Sequence, residues 1–403
     1  MWVIDAKKYI IITLIISVMQ KICFVMPYHI LDNRGGGAEV QAWLLAKELA
    51  RRGYDVTYIA QSTRKTYTSS EMISGVKIKW IKYIPKFFPL AWRNFLNRLK
   101  DEKPDFVIQR GSMPEISWAA GKYSRKSGAK FIWICSDNSS PFKWVSLKNQ
   151  IRAIRKGGSK IYKLIFLTMN AFILDILRHY GMRNVFVAFN QNDYQQKILK
   201  REFGLDSHRI VSGHEFPAVL NAPGMRLDKG IVLWVGNLGE RKRPEKYIEL
   251  ARRAKRENLE FVMIGTKDDK SYVDKLFENA PPNLEWLGHL SFEETLEWFR
   301  RAAFFVNTSE KEKEGFPNTY IQAWLRGVPV FTLEVDPSEI IQTERLGFVE
   351  NNLSKILDKF RYFQNRRDEY AEFSKRVQEY ARAHHSIEIM ADSFLKAVCD
   401  LIK

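Results

Sequence analysis

Cysteine is scarce in this sequence: Cys23, Cys135 and Cys399 lie far apart among 403 residues. An odd and widely spaced set provides neither a disulfide framework nor the paired spacing of a zinc site. Cys23 and Cys135 lie in apolar runs, so we expect them to be core thiols. This absence fits a protein of the reducing cytoplasm. Low-complexity tracts are also missing, and the composition, 45% hydrophobic and 27% charged, is that of a globular protein.

The N-terminal apolar run is too short to span a membrane. It extends from Tyr9 to Met19, which is 11 residues, whereas a bilayer core of ~30 Å needs about 20. Residues 1–20 begin like a signal peptide, with Lys7 and Lys8, but lack a small-residue cleavage site. They are a membrane-surface anchor, an uncleaved signal-like segment, or the result of a misassigned start. We favour a start at Met19, because a strand follows directly.

Acidic residues are scarce in the first half of the chain. Residues 1–225 hold 35 Lys and Arg against 16 Asp and Glu, a balance of +19, whereas residues 226–403 hold 29 against 30. The whole net charge of +18 therefore comes from the first half. A solvated surface needs mixed charge rather than this segregation, so we expect an anionic partner for the first half.

The first half begins with a strand, a glycine loop, a helix and a second strand. The pattern predicts a strand over Ile22–Met26, a helix over Ala38–Arg52 and a strand over Tyr54–Ala60, with Gly35, Gly36 and Gly37 before the helix. This order is typical of a mononucleotide-binding half unit. Three glycines allow a ligand to approach the backbone closely, although a plain turn explains them equally well.

The second half opens in the same way. Residues 230–235 predict a buried strand, and Pro244 starts a helix that extends to Arg253. The loop between them, residues 236–243, begins with Gly236 and ends in Arg241, Lys242 and Arg243. A glycine turn that brings three cations to a helix start suits a diphosphate, whereas the alternative is ordinary solvated charge.

A third unit lies at residues 303–331. The pattern predicts a strand over Ala303–Val306, a helix over Thr319–Arg326 capped by Asn318, and a strand over Val328–Phe331. Between them lies a polar loop that ends in Glu314, Gly315, Phe316, Pro317 and Asn318. Such a loop follows the carboxyl end of a strand, where open α/β sheets bind their ligands.

These stretches resemble the retaining glycosyltransferases of glycosyltransferase family 4, also described as glycosyl transferases group 1. The resemblance covers nearly all of residues 20–400 and is most specific at 232–244 and 303–330. It implies an α/β protein with the GT-B fold, in which two Rossmann-like domains face each other across a cleft. The family pattern places two glutamates eight positions apart; here Glu314 is the first, and Gln322 replaces the second. The resemblance implies that Glu314 contacts the transferred sugar and Gln322 the ribose.

Two further positions depart from the family pattern. Lys242 matches the family lysine of the glycine loop, but Asn237 stands where an arginine is expected, and Arg241 or Arg243 are possible replacements. Many relatives have a His-Asp pair after the strand at 130–135, where this chain has Ser136 and Asp137. Asp137 is therefore a candidate contact for the acceptor or the sugar; an ordinary turn aspartate is the alternative.

The resemblance implies a complete set of site residues. Lys242 and Glu314 are the expected catalytic residues, and Ser136 and Asp137 the acceptor-side candidates. The expected donor-binding residues are Gly36, Gly37, Gly236, Asn237, Arg241, Lys242, Glu314, Gly315, Phe316, Asn318 and Gln322. No Asp-x-Asp motif lies in a plausible loop, so we expect neither a cofactor nor an essential metal. No residue stands out as a covalent nucleophile, which is compatible with front-face transfer.

The length suits two domains, because a single core stops growing near ~250–300 residues. We expect an acceptor domain over residues 21–215, a linker over 216–229 and a nucleotide-sugar domain over 230–385. A final helix, residues 386–403, is expected to return to the first domain. Residues 143–183 combine basic residues with an apolar run, Ile161–Leu177, that predicts a core or cleft helix. The basic part suits a membrane surface, with a solvated basic face as the alternative.

The sequence therefore predicts a retaining glycosyltransferase that uses a nucleotide sugar in polysaccharide or glycoconjugate synthesis. We expect a glycan or lipid-linked acceptor, an anionic membrane surface as partner, and a peripheral location on the cytoplasmic face of the membrane. Three alternatives stay open: a sugar-nucleotide epimerase or phosphorylase of the same architecture, an inactive relative, and a basic nucleic-acid-binding protein. The last lacks aromatic platforms among its basic residues, so we expect no nucleic-acid partner.

Overall fold

The structure is a computed structural model that describes residues 21–31, 35–62, 70–83, 90–155, 161–217, 223–266, 270–311 and 314–402. The predicted N-terminal extension, residues 1–20, lies outside the described residues. The chain divides into two compact units. The first contains Met1–Val211 and Ile387–Lys403, and the second contains Ser212–Ser386.

The first unit is built on an eight-stranded sheet with the strand order β3-β4-β2-β1-β5-β6-β7-β8. The pairs are parallel except β3 with β4, which is antiparallel. The strands are β1 (Lys21–Val25), β2 (Asp55–Ser62), β3 (Ser70–Ile73), β4 (Val76–Lys82), β5 (Phe106–Arg110), β6 (Lys130–Ile134), β7 (Val185–Asn190) and β8 (Ser207–Arg209). The helices are α1 (Gly37–Arg51), α2 (Leu90–Glu102), α3 (Pro114–Ser127), α4 (Val145–Arg155), α5 (Ile161–Met182) and α6 (Asp193–Phe203).

Both faces of this sheet are buried, as expected of parallel strands. Successive residues of β1 point to opposite faces, so Ile22 and Phe24 pack in one apolar cluster while Cys23 and Val25 pack in another. The prediction of core thiols at Cys23 and Cys135 is confirmed, because both are buried and unoxidised. The C-terminal helix, Ile387–Asp400, belongs to this unit and packs Phe394 into the cluster of Phe24.

The second unit contains a six-stranded sheet with the order β11-β10-β9-β12-β13-β14, in which every pair is parallel. This is the doubly wound order in which the chain starts in the middle of the sheet and reverses direction once. The strands are β9 (Ile231–Val235), β10 (Glu260–Ile264), β11 (Leu284–Trp286), β12 (Phe304–Asn307), β13 (Val330–Thr332) and β14 (Gly347–Val349). The helices of this unit are α7 (Pro223–Lys229), α8 (Pro244–Arg253), α9 (Lys270–Phe277), α10 (Phe292–Arg301), α11 (Asn318–Trp324), α12 (Ile340–Thr343), α13 (Leu353–Asn365) and α14 (Arg367–His384). The C-terminal helix of the first unit is α15 (Ile387–Asp400).

The predicted linker over residues 216–229 is wrong in its second part. Residues 223–229 form helix α7, and its Leu227 is buried in the core of the second unit. Arg226 of the same helix donates a 2.6 Å hydrogen bond to the carbonyl of Arg326. The prolines and the glycine of this stretch hide its periodicity, yet proline is well tolerated in the first turn of a helix. Helix α7 is therefore a wall of the second unit rather than a connection.

The interpretation of Ile161–Leu177 as a core or cleft helix is also wrong for one of its faces. Helix α5 spans 22 residues and packs against α3 and α4. Its opposite face exposes six large apolar side chains. In the part of the chain that the structure describes, no helix is both long and apolar enough to cross a membrane.

Candidate functional site

The strand order of the second sheet indicates where a ligand site is expected. Strand β9 is flanked by β10 on one side and β12 on the other, so the loops that follow β9 and β12 lead to opposite sides of the sheet. A crevice opens at such a reversal, at the carboxyl ends of the strands. The two loops are residues 236–243 and residues 308–317, and they contain most of the predicted donor-binding residues.

The structure brings Lys242 and Glu314 together across these two loops. The Lys242 Nζ atom lies 2.5 Å from Glu314 Oε1. The two side chains are 21% and 12% exposed, so the ion pair is partly buried but open to a ligand. The residues lie 72 positions apart in the chain, and only the sheet order brings them into contact.

A network of hydrogen bonds holds the two loops against each other. Trp234 Nε1 donates to Thr308 Oγ1 at 3.0 Å, and Thr308 Oγ1 donates to the carbonyl of Lys242 at 2.6 Å. The amide of Glu310 donates to the carbonyl of Arg241 at 3.1 Å. The backbone that positions Lys242 is therefore fixed by the loop that leads to Glu314.

Arg243 is part of this brace, and its role as a replacement for the missing arginine stays a prediction. Its guanidinium donates to the carbonyls of Thr308 at 2.6 Å and Ser309 at 2.9 Å, and it pairs with Glu334 at 2.6 Å. Its backbone is left-handed, with φ of 46°, which directs the side chain back towards the β12 loop. Arg241 is exposed, whereas the side chains of Lys242 and Arg243 are only 21% and 19% exposed.

The turn after β9 passes very close to the turn after β10. A Cβ atom at Gly265, whose φ is +155°, would lie 1.7 Å from the carbonyl oxygen of Gly236, so only glycine fits there. Thr266 Oγ1 donates to Asn237 Oδ1 at 3.0 Å. Asn237, which stands in place of the family arginine, is thus exposed and tied to the neighbouring turn.

The motif that follows Glu314 is anchored in the core of the second unit. Gly315 is buried, and the Phe316 ring lies 5.1 Å from the ring of His385 and 6.2 Å from that of Trp324. The prediction of Asn318 as a helix cap is wrong, because α11 begins at Asn318 after Pro317.

Gln322 lies on the same helix, α11, and is 6% exposed. Its backbone carbonyl accepts a 3.2 Å hydrogen bond from Arg326. The proposed contact of Gln322 with a ribose stays a prediction.

His385 contacts both the Phe316 ring and the first residues of the second unit. Its Nδ1 lies 3.0 Å from the carbonyl oxygen of Ser212, and the amide of His214 donates to the His385 carbonyl at 3.0 Å. Burial lowers the pKa of His385 to about 4, because the charged imidazolium would lose its hydration. The neutral ring therefore donates from Nδ1.

In the first unit, the glycine loop is hydrogen-bonded to a buried glutamate, Glu39, which the sequence interpretation missed. Glu39 accepts a 2.9 Å hydrogen bond from the amide of Gly36, while Gly36 and Gly37 are themselves exposed. Burial raises the pKa of Glu39, and burial lowers the pKa of nearby Arg110 to about 10. The sequence signal that could have identified Glu39 is its position three residues after the helix cap Gly36, where a glutamate forms half of a capping box.

The acceptor-side candidates form a tight turn after β6. Asp137 Oδ1 accepts hydrogen bonds from the Ser139 amide and the Ser140 amide, both at 2.8 Å. The Ser136 hydroxyl donates to Asp137 Oδ2 at 3.1 Å. Asp137 thus holds its own turn, in agreement with the alternative interpretation, and its contact with an acceptor stays a prediction. Across the residues the structure describes, no three His, Cys, Asp or Glu side chains converge as metal ligands would.

Comparison with known proteins assigns both units. The Glycosyltransferase Family 4 model matches residues 35–190, and the Glycosyl transferases group 1 model matches residues 229–362. Together the two matches make up more than two thirds of the chain. A curated relative, the poly(ribitol-phosphate) alpha-N-acetylglucosaminyltransferase of Staphylococcus aureus (strain COL), is 24% identical over 306 residues. That alignment covers 74% of this chain, which spans 56% of the relative's length.

Solved structures show the same architecture. Sucrose-phosphate synthase of Thermosynechococcus elongatus superposes with a TM-score of 0.73 at 15% identity, over 95% of this chain and 99% of the other. HepE of Anabaena, in complex with UDP-glucose, gives 0.68 at 12% identity, over 94% of this chain and 99% of the other. The family matches and the two parallel-sheet units together identify the chain as a glycosyltransferase of the GT-B fold, with a family 4 domain followed by a group 1 domain.

Proposed function

We propose that the protein transfers a sugar, with retention of anomeric configuration, from a UDP-sugar to an anionic glycan or lipid-linked acceptor. The observation that supports the proposal is the Lys242–Glu314 pair at the reversal point of the second sheet. A paired ammonium and carboxylate that remain partly open to solvent can each exchange the other for a polar ligand group.

Lys242 is suited to the leaving diphosphate. When the glycosidic bond breaks, negative charge grows on the diphosphate oxygens, and a cation held in place stabilises this charge more than it stabilises the bound donor. The carbonyl of Lys242 accepts a hydrogen bond from Thr308 Oγ1, which holds the base of this side chain in place. We propose that the diphosphate takes the place of Glu314 as the partner of Lys242.

Glu314, released from Lys242, is then free to accept hydrogen bonds from sugar hydroxyls. No residue is assigned as a covalent nucleophile, so the proposal uses the front-face route. In that route the acceptor oxygen bonds to the anomeric carbon on the face that the diphosphate leaves, and a donor phosphate oxygen takes the acceptor proton. Retention follows from attack on the same face.

The choice of UDP is supported by relatives rather than by a contact in this chain. HepE of Anabaena was solved with UDP-glucose, and the Staphylococcus aureus relative is an N-acetylglucosaminyltransferase. Buried Gln322 on α11 can hydrogen-bond a ribose hydroxyl without charge. We therefore propose that Gln322 contacts the ribose, as the family glutamate is expected to do.

An anionic acceptor is supported by the charge distribution. The first half of the sequence has a balance of +19, and the acceptor named for the curated relative, a poly(ribitol-phosphate), is a polyanion. Synthesis of a cell-surface polysaccharide or glycoconjugate at the cytoplasmic face of an anionic membrane accommodates both facts. We propose a peripheral membrane location for this reason.

We also propose that no divalent metal is essential, because Lys242 supplies the positive charge that a metal ion supplies in other transferases. Full turnover after treatment with EDTA is the expected result. A loss of turnover that Mg²⁺ or Mn²⁺ restores would overturn this part of the proposal.

The test of the donor is a thermal-shift screen with UDP-, GDP-, ADP- and dTDP-sugars. Stabilisation by a UDP-sugar is expected, and stabilisation by GDP-sugars alone would overturn the choice of base. Proton NMR of the product should then show the anomeric configuration of the donor. An inverted product would refute the front-face route.

A sugar-nucleotide epimerase and a phosphorylase are distinguished from the transferase by the substrates that they need. An epimerase changes the UDP-sugar without any acceptor, and a phosphorylase consumes inorganic phosphate. The transferase releases UDP in proportion to glycosylated acceptor. UDP-sugar epimerisation in the absence of acceptor would replace the proposal.

A further inference from the structure

Helix α5 presents a continuous apolar face to solvent. The exposed residues recur at the spacing that places them on one side of a helix. They are Ile165 (57% exposed), Phe166 (62%), Met169 (59%), Phe172 (45%), Ile173 (45%) and Ile176 (46%). At 1.5 Å per residue the row is about 16 Å long. Single exposed apolar residues are ordinary, but a contiguous row of six marks an interaction surface.

The other side of the same helix is firmly attached to the first unit. Asp175 accepts hydrogen bonds from the amides of Ser146 and Leu147, at 3.0 and 2.9 Å, and so caps the start of α4. Arg178 is fully buried and donates to the carbonyls of Ser140 and Phe142. The apolar row therefore lies on a rigid element and not on a loosely packed one.

The segment around the apolar row is rich in basic residues, and Glu202, whose carboxylate accepts a 3.2 Å hydrogen bond from the Lys143 amide, is an acidic neighbour. Residues 138–174 contain seven Lys and Arg and no Asp or Glu. Lys148 and Arg152 are exposed on α4, the helix that packs beside α5. Trp144 stacks on Phe172 with ring centroids 5.5 Å apart, which adds an aromatic ring of the type enriched at membrane interfaces.

We propose that this face, the apolar row of α5 with the cations of α4 beside it, docks on an anionic membrane surface. The helix lies in the plane of the interface, with its apolar side chains at the boundary between headgroups and acyl chains. The cations contact lipid phosphates. The charge pattern favours this occupant, because an apolar row beside the exposed cations Lys148 and Arg152 matches an anionic bilayer better than a second copy of the same basic unit.

Docking through α5 has a consequence for the acceptor side. Asp175 and Arg178 connect α5 to residues 140–147, which directly follow the turn of Asp137. A membrane-bound α5 thus places the acceptor-side candidates near the lipid surface. Only this step rests on the proposed function.

The experiment is co-sedimentation of the full chain with vesicles of phosphatidylcholine alone or of phosphatidylcholine with about 30% phosphatidylglycerol, whose anionic headgroups attract basic surfaces. The wild type is expected to pellet with the anionic vesicles and to be released at high salt. Met169→Glu should lower the partition coefficient by at least about tenfold, because a charged side chain replaces an apolar one at the interface.

The matched control is Met72→Glu, the same change at a methionine that is 67% exposed on strand β3. It should bind vesicles like the wild type. Equal binding by the Met169→Glu variant and the wild type would overturn the proposal. So would a wild type that binds no anionic vesicle but dimerises, with Met169→Glu restoring the monomer, because a second copy would then cover the face.

Failure of docking is separable from failure of the proposed transferase. Stabilisation by a UDP-sugar is measured in the absence of vesicles and should be identical in the wild type and in Met169→Glu. Loss of vesicle binding with intact donor binding in this variant supports the docking surface. A wild type that binds vesicles but no nucleotide sugar overturns the proposed function and leaves the docking surface standing.

Discussion

Replacement of Lys242 by alanine separates a catalytic role of this residue from a structural one. Two unit charges about 4 Å apart interact by about 4 kcal/mol at an effective dielectric constant of 20. The Lys242 side chain is 21% exposed, so water weakens its contact with a developing charge somewhat. We expect a loss of about 3 kcal/mol of transition-state stabilisation, which is on the order of 10²–10³ in kcat.

The same substitution leaves Glu314 without its partner. Its side chain is only 12% exposed, and a poorly solvated carboxylate that loses a hydrogen bond costs roughly 1–3 kcal/mol of folding free energy. Glu314→Gln in the same chain removes that charge. The double variant should therefore recover thermal stability relative to Lys242→Ala but recover no turnover.

The assay is steady-state UDP release with saturating acceptor, alongside thermal unfolding of both variants. A fall in kcat with a donor KM that changes by less than about tenfold is expected, since Lys242 acts chiefly on charge that appears in the transition state. Lys255→Ala, an exposed lysine beyond the end of α8, is the control and should retain full activity. A folded Lys242→Ala enzyme with kcat within about threefold of wild type would refute the reasoning.

Four further substitutions test the second unit. Glu314→Gln should lower turnover by about 10² or more, because a carboxylate that accepts hydrogen bonds from the sugar becomes a weaker, neutral acceptor. Gln322→Glu restores the family residue and should keep activity. The opposite pattern in a UDP-release assay would reverse the two assignments. Arg243→Lys should destabilise the second unit by roughly 3 kcal/mol in urea unfolding, because lysine cannot replace the two carbonyl contacts and the Glu334 pair together. Unchanged stability would contradict the inference that Arg243 holds the two loops together. The pKa of His385 is about 4 in the folded protein and 6.5 for an exposed histidine, so unfolding takes up a proton between pH 4 and pH 6.5. The contribution of neutral His385 to stability is therefore complete above about pH 6.5, and about 3 kcal/mol of it is lost as the pH falls to 4. Melting curves of His385→Gln should lack this part of the acid sensitivity, and parallel pH profiles for variant and wild type would exclude it.

The alternation of strands and helices that builds both units was predictable from the sequence. Most strands are short apolar runs bounded by glycine or proline, so local patterns suffice to place them. The short strands β3 (SEMI) and β8 (SHR) have no such pattern and were not predicted. The two loops of the site follow strands directly, and Lys242 and Glu314 lie within them. Once a parallel sheet is assumed, loops that follow neighbouring strands must meet at one edge. The sequence therefore predicted the region of the site and its two central charges.

The roles of neighbouring charges were not predictable in this way. Arg241 and Arg243 are equivalent in the sequence, and only the left-handed backbone of Arg243 and the carbonyls of the β12 loop make it a brace. The burial of Glu39 beside Arg110 likewise depends on α1 and β5, which lie far apart in the chain. Such distinctions depend on hydrogen-bond partners that no local pattern specifies.

Helix α5 shows the same limit on a larger scale. Its sequence is apolar on every side, which normally indicates a helix buried all round. Hydrophobicity determines how much surface a helix prefers to keep from water, but the number of neighbours that pack on it is decided by the fold. In this unit α3 and α4 cover one side of α5 and leave six large apolar residues exposed. The sequence by itself determined the alternation of strands and helices in both units and named Lys242 and Glu314 as candidates, whereas the tertiary structure decided which charges are engaged and which apolar face stays uncovered.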